Sequence, residues 1–398
     1  MSNTEILILY GHDYPEGMAM SKRLHLYAKG LIENGIDVKI AILRSKSPQQ
    51  KKGLIYLHEN VKYYYIQNAL TLHNIIIKKL AGILDPIYTF FHLLNIIRTS
   101  GFIWVIGFNW QTQLLIIALC KLFNKKVFSE VNEYPYAYSL GKFDNNWLRK
   151  FRQWIVLNII YKNYNGFIVI SDNLYNLVSR YKKNSSKILK VPILINGVVK
   201  NAAAKRYEHL FILHAGTLDE NKDGIVHVFE AFAIACKKIT LEIKFLLTNR
   251  NTVNSTLNKI NSVLTHNNLK NRVIFHNSVP IKTLEKYMEN CTLSVINRPL
   301  NNQNLYNFST KLGEYMSYGI PVITTNIGEM ANYLEDNVNC FIVEPNNADK
   351  IASKIVFIIE NEEVAVEVGN NARITAEKFF HYKIHGKRLA FFFNSFHQ

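Results

Sequence analysis

Lys222, Lys311 and Glu314 are the side chains whose types and spacing best suit chemistry on a charged, hydroxyl-bearing ligand. The last two lie in Asn307-Phe308-Ser309-Thr310-Lys311-Leu312-Gly313-Glu314-Tyr315-Met316-Ser317-Tyr318-Gly319-Ile320-Pro321-Val322-Ile323-Thr324-Thr325. Three residues apart on a helix means one shared face. Ser309 or Thr310 can cap the start of that helix, Gly319 supplies a left-handed stop, and Pro321 opens an apolar, β-branched strand. The helix is therefore short. Its N-terminus, with free N–H groups and the positive end of the dipole, favours a diphosphate, and a carboxylate one turn further in suits sugar hydroxyls. The plainer alternative for Glu314 is a solvated pair with Lys311.

Elements must hold these residues together, and a second segment supplies them. Phe211-Ile212-Leu213-His214-Ala215-Gly216-Thr217-Leu218-Asp219-Glu220-Asn221-Lys222-Asp223-Gly224 reads as a strand and a loop. Ile225, Val228, Phe229 and Phe232 then recur at helical spacing. The loop from Gly216 to Gly224 thus lies at the carboxyl end of a strand, where open α/β sheets bind ligands. Lys222 sits at its mouth as a phosphate clamp, against the plainer reading of a solvated loop lysine.

Together the two segments resemble the nucleotide-sugar half of glycosyltransferase family 4, the retaining GT-B enzymes of glycan and polysaccharide synthesis. The resemblance rests on a glycine-ended strand and a lysine near a glycine, followed about ninety residues later by the acid, helix and Gly-x-Pro-Val element. Asn271 to His276 and Leu284 to Pro299 look like the family's linking strands and helices. Two positions depart from the pattern: Tyr306 stands where the family's first glutamate falls, and Thr217 where it has an arginine. Arg298, after the strand Leu293 to Ile296, is the candidate replacement cation. Some branches start this helix with a small residue before lysine, as Ser309-Thr310-Lys311 does.

The chain opens with a β-loop-α-β unit: strand Glu5 to Tyr10, loop Gly11 to Ala19, a helix to Asn34 stopped by Gly35, and strand Asp37 to Leu43. It has neither GxGxxG nor GxxxxGK[ST], so it lacks the phosphate turns of dinucleotide and P-loop sites. The resemblance brings Gly17 to the sugar diphosphate, and the plainer reading of a lone glycine is a turn. Lys126 to Pro135 reads as a strand running into a polar loop. Family members often place a histidine and an acid there, and this chain offers Asn132 and Glu133; a loop acid bonded to nearby backbone is the alternative for Glu133. Strand Gly166 to Ile170, a helix start at Ser171-Asp172 and a strand Lys187 to Ile195 follow. Asn201 to Arg206 lacks apolar periodicity and marks the domain boundary.

Of the net charge of +17 on 398 residues, residues 1 to 200 carry +15, from 26 Lys and Arg against 11 Asp and Glu. A basic, aromatic-rich half suits an anionic partner. No nucleic-acid-binding signature accompanies it, so nucleic acid ranks behind an anionic acceptor or the inner leaflet of a membrane. Asn145 to Leu157 mixes Arg and Lys with Trp, Phe and Leu, and His73 to Arg98 is a second aromatic stretch; each suits a bilayer interface or packing on its own sheet. No segment is long and apolar enough to span a bilayer, and the N-terminus lacks the apolar core of a signal peptide. The four scattered cysteines read as buried small hydrophobes in a reducing compartment. No histidine spacing matches a known metal motif, and no protein-bound metal is expected.

The expected fold is α/β of GT-B type, two doubly wound Rossmann-like domains facing a cleft. Residues 1–200 are the acceptor side, 201–380 bind the nucleotide sugar, and a C-terminal helix over about 381–398 returns to the first domain. The resemblance implies transfer of a sugar with retention from a UDP- or GDP-sugar, with no metal required, to a glycan or lipid-linked hydroxyl, in the cytoplasm or at the inner membrane face. It assigns Lys222, Glu314 and Glu133 to catalysis. Gly17, Gly216, Thr217, Lys222, Arg298, Thr310, Lys311 and Glu314 it assigns to nucleotide-sugar binding. The alternatives are a catalytically silent glycan-binding or scaffold subunit and a sugar-nucleotide epimerase.

Overall fold

Strands that are apolar along their whole length are those buried on both faces, and Ile6-Leu7-Ile8-Leu9-Tyr10 is such a run. A computed structural model describes residues 4–17, 19–44, 52–67, 89–136, 146–198, 210–248, 254–277 and 279–397. It divides into one unit of Met1–Pro192 with Tyr382–Gln398 and a second of Ile193–His381. The boundary expected at Asn201 to Arg206, and most of His73 to Arg98, lie outside the described residues.

The first unit is built on β1 (Glu5–Tyr10), α1 (Ala19–Ile32), β2 (Asp37–Arg44), β3 (Tyr56–His58), β4 (Val61–Gln67), β5 (Phe102–Ile106), α2 (Trp110–Leu122), β6 (Val127–Val131), α3 (Asn146–Ile155), β7 (Gly166–Val169), α4 (Asp172–Tyr181) and β8 (Lys187–Lys190). The sheet order is β3-β4-β2-β1-β5-β6-β7-β8, parallel except for the β3–β4 hairpin. β8 ends at Lys190, short of the expected Ile195, which instead bridges to His381. As expected, Ser171 caps α4, its side chain accepting from the Leu174 amide.

Helix α13 (Tyr382–Asn394) packs on α1, with glycine facing glycine: a Cβ on Gly386 would meet the Gly30 Cα at 2.7 Å. Phe393 is fully buried between Trp104 and Phe128, and Phe392 and Phe396 also pack on Phe128. Burying one such ring contributes about 2–3 kcal/mol. Phe391 of the same helix is 79% exposed. A buried pair ties α1 to β6: Arg23 Nε donates to Glu130 Oε1 at 2.7 Å, and Tyr27 donates to the same oxygen.

The second unit contains β9 (Leu210–Ala215), α5 (Glu220–Asp223), α6 (Ile225–Lys238), β10 (Ile243–Thr248), α7 (Asn254–His266), β11 (Val273–His276), α8 (Ile281–Asn290), β12 (Leu293–Ile296), α9 (Asn302–Tyr306), α10 (Thr310–Ser317), β13 (Val322–Thr324), β14 (Phe341–Ile342), α11 (Ala348–Glu360) and α12 (Glu362–Phe380). Its sheet, β11-β10-β9-β12-β13-β14, is parallel throughout. Strand order reverses between β9 and β12, and open α/β sheets bind ligands at such switch points. The helical faces Val228, Phe229 and Phe232 form its core with Phe245 and Phe341.

Candidate functional site

Residues after β9 and β12 meet the start of α10 at the switch point. Gly216, immediately after β9, has φ +99°, a conformation natural to glycine, and a Cβ there would sit 3.6 Å from the Lys311 Cε. Tyr315 fixes the same turn. Its buried hydroxyl accepts the Ala215 N–H at 2.8 Å, so α10 is pinned to the end of β9 by a side chain that sequence analysis passed over.

Lys311 does not pair with Glu314. Its ammonium donates to Asp223 Oδ2 at 2.8 Å and contacts His214 Nε2 at 3.1 Å. Asp223 and His214 are both buried. Burial alone would raise the Asp223 pKa, but the charge and hydrogen bond of Lys311, with the Arg298 guanidinium, outweigh it and hold the carboxyl below its ordinary value. Burial, then the Lys311 charge, push the His214 pKa down to about 4. The imidazole is therefore neutral at pH 7 and can accept from the ammonium through Nε2. That tautomer places its proton on Nδ1, which is buried and has no partner among the described residues.

The loop that delivers Asp223 differs from the expected irregular turn. Residues Glu220–Asp223 form the short helix α5, with the Asp219 carboxylate accepting from the Asn221 and Lys222 amides. Asn304, buried on α9, donates to the Asn221, Lys222 and Pro299 carbonyls and so clamps this loop. Lys222 is half-buried on that clamped backbone. Thr217 lies beside the cluster, its carbonyl 3.4 Å from His214 Nε2.

Arg298 follows β12 and is 3% exposed. Its Nη2 donates to Asn304 Oδ1 at 2.5 Å and to Asn307 Oδ1, while Thr325 holds its backbone from both sides. It contributes charge to Asp223 from below the surface, with the guanidinium inside the wall. Ser309 stands at the N-cap of α10, but contrary to expectation its side chain makes no capping hydrogen bond among the described residues. The uncapped first turn, with Thr310 leading it, keeps donors available to an anion. Glu314 is half-buried one turn further on, Tyr306 ends α9, and Gly319 stops α10 with φ +70°. A groove of about 680 Å³ lined by Ile327, Val343, Glu344, Lys350 and Lys354 lies at the β14 edge and shares no residue with this cluster.

In the first unit, a Cβ on Gly17 would fall 1.9 Å from Ser21 Oγ, which itself donates to the Asp13 carbonyl at 2.5 Å. Gly17 thus serves a tight entry to α1. Glu133 is exposed two residues past β6, whereas Glu130 and Asn132 each keep one buried side-chain oxygen without a partner among the described residues.

Residues 199–375 match the family model described as Glycosyl transferases group 1. Over 205 residues the chain is 25% identical to an uncharacterized glycosyltransferase of Methanocaldococcus jannaschii, an alignment that covers 51% of this chain and about half (54%) of that relative. Sucrose-phosphate synthase from Thermosynechococcus elongatus superposes with a TM-score of 0.76 at 17% identity, covering 99% of both chains. Anabaena HepE in complex with UDP-glucose does so with a TM-score of 0.72 at 12% identity, covering 99% of this chain and 100% of that one. At such identities the likeness concerns fold alone, and the fold is GT-B: two Rossmann-like domains, one on a sheet parallel but for its β3–β4 hairpin and one on a wholly parallel sheet.

Proposed function

We propose that the protein is a retaining glycosyltransferase of the family 4 type, moving a sugar from a nucleoside diphosphate donor to a hydroxyl of a glycan or lipid-linked saccharide. The observation that carries this reading is the Lys311 ammonium, oriented by buried Asp223 and His214 beside Gly216 and the uncapped N-terminus of α10. As the bond between the anomeric carbon and the diphosphate breaks, charge gathers on the leaving oxygens. Lys311, Lys222 and the helix N–H groups then stabilise that charge more in the transition state than in the ground state. The acceptor oxygen bonds to the same face of the sugar, and its proton passes to the departing phosphate. No side-chain nucleophile is needed. Glu314 accepts from ribose hydroxyls, and Arg298 acts by positioning Asp223 and the α9 segment. Cationic side chains supply the countercharge, so turnover is expected to survive chelation of metals.

The first unit takes the acceptor, with Glu133 on its loop, and Gly17 is kept for the donor diphosphate. Helix α3 exposes Trp147, Phe151 and Trp154 together with Lys150, a composition suited to an anionic membrane surface. Among the described residues no helix is long and apolar enough to cross a membrane. Association of the protein with vesicles of anionic lipid, lost on Trp147→Ser with Trp154→Ser, tests that placement.

The donor reading is tested by thermal shift with UDP, GDP and ADP and by turnover of a panel of sugar nucleotides. One nucleotide is expected to raise the transition at millimolar concentration. If none does and no donor is consumed, a silent subunit explains the chain better.

A further inference from the structure

His25, His58 and Glu59 of the first unit have no part in the proposed reaction, yet the fold gathers them. His25 projects from α1. His58 ends β3, and Glu59 and Asn60, with φ of 43° and 68°, make the two-residue turn that returns the chain into β4, with His58 paired to Val61. One ligand atom from each of the three lies within 4.8 Å of the others. His25 Nε2 and Glu59 Oε2 are 3.3 Å apart. Two ligands bound to zinc at about 2.0–2.1 Å with tetrahedral angles stand about 3.3 Å from one another. The His25 and His58 rings are 5.0 Å apart between centroids and inclined at 62°, as for imidazoles approaching one centre from different directions.

The surroundings also fit. Metal-bound histidines usually carry a hydrogen bond on the second ring nitrogen, and His25 Nδ1 is 2.8 Å from the hydroxyl of buried Tyr14. Tyr14 is itself fixed, its carbonyl accepting from the Tyr65 hydroxyl at 2.9 Å. Two imidazoles and one carboxylate favour zinc over calcium or magnesium, which prefer oxygen ligands throughout. Lys29 Nζ, 3.3 Å from Glu59 Oε2, supplies positive charge at the carboxylate, on a long side chain able to swing away.

We propose that His25, His58 and Glu59 form a three-ligand site for a divalent transition metal of the zinc type, cross-linking α1 to the β3–β4 hairpin and leaving a fourth position to water. The site is independent of sugar transfer. Its effect is to stiffen the first unit.

The test uses full-length protein stripped with chelator and titrated with Zn²⁺ by calorimetry, and with Co²⁺ by visible absorption. Binding of about one ion per chain is expected, with a rise in the thermal transition followed by tryptophan emission. All four tryptophans lie in the first unit, so that signal reports it alone. His58→Ala and Glu59→Gln change partly or fully exposed hairpin residues and are expected to weaken binding about 100-fold or more while far-UV circular dichroism stays unchanged. Lys29→Met removes a competing charge and is expected to tighten Zn²⁺ binding about tenfold. Absence of a stoichiometric binding event overturns the proposal, as does a Zn²⁺ response that persists in His58→Ala. Sugar transfer unaffected by the metal is the expected companion result, so failure here leaves the donor reading untouched.

Discussion

Acid should destabilise the second unit through one histidine. The folded protein holds the His214 pKa at about 4, and an unfolded chain returns it to about 6.5. The depressed folded value means that the unfolded state binds the proton first as pH falls. The stability held by the neutral ring is therefore complete above about pH 7, is lost progressively below about 6.5, and levels off below about 4. Linkage puts the loss at about 2 kcal/mol by pH 5 and about 3 kcal/mol by pH 4. His214→Gln keeps an acceptor for the Lys311 ammonium and removes the titration. Urea unfolding of both proteins, followed by far-UV circular dichroism because the second unit has no tryptophan, gives the stability difference at each pH. That difference should move in favour of the glutamine variant by those amounts. Parallel stability curves from pH 7.5 to 4 refute the reasoning, because a ring that titrates equally folded and unfolded is not buried beside an ammonium.

Lys311→Met strands the buried Asp223 carboxylate and is expected to cost about 3 kcal/mol of second-unit stability, with Asp223→Asn in the same chain recovering more than half of it; additive urea-unfolding losses sink the pairing. The double variant should still lose about 100-fold in donor turnover, since the ammonium is gone in either case. Gly216→Ala places a side chain at φ +99° and is expected to cost about 1–3 kcal/mol, measured as a lower urea midpoint, together with weaker nucleotide binding by thermal shift. Tyr315→Phe leaves the buried Ala215 N–H unsatisfied and should cost about 1–3 kcal/mol by the same measurement; a neutral result means that water reaches that turn.

Several elements were legible because their physics is local. The run Glu5 to Tyr10, the strand Leu293 to Ile296 and the stop at Gly319 follow from apolar continuity and glycine conformation, and the structure has them at those residues. Asp223, His214, Tyr315 and Asn304 escaped notice as a group, because a residue between Lys222 and Gly224 carries no sign that its partner is 88 positions away. The metal candidate escaped for the same reason. His25 and His58 match no spacing rule and meet only when a hairpin folds beside a helix.

By itself, then, the amino-acid order determined an α/β chain of alternating strands and helices, a basic first half, and the short helix with Lys311 and Glu314 after a strand. Hydrophobic periodicity, capping types and charge are properties of neighbours along the chain. Only the tertiary structure decided that Lys311 turns to Asp223 and not to Glu314, that Ser309 leaves α10 uncapped, and that Arg298 lies inside the wall. Those outcomes depend on which side chains lose water together, and burial is settled by residues distant in sequence.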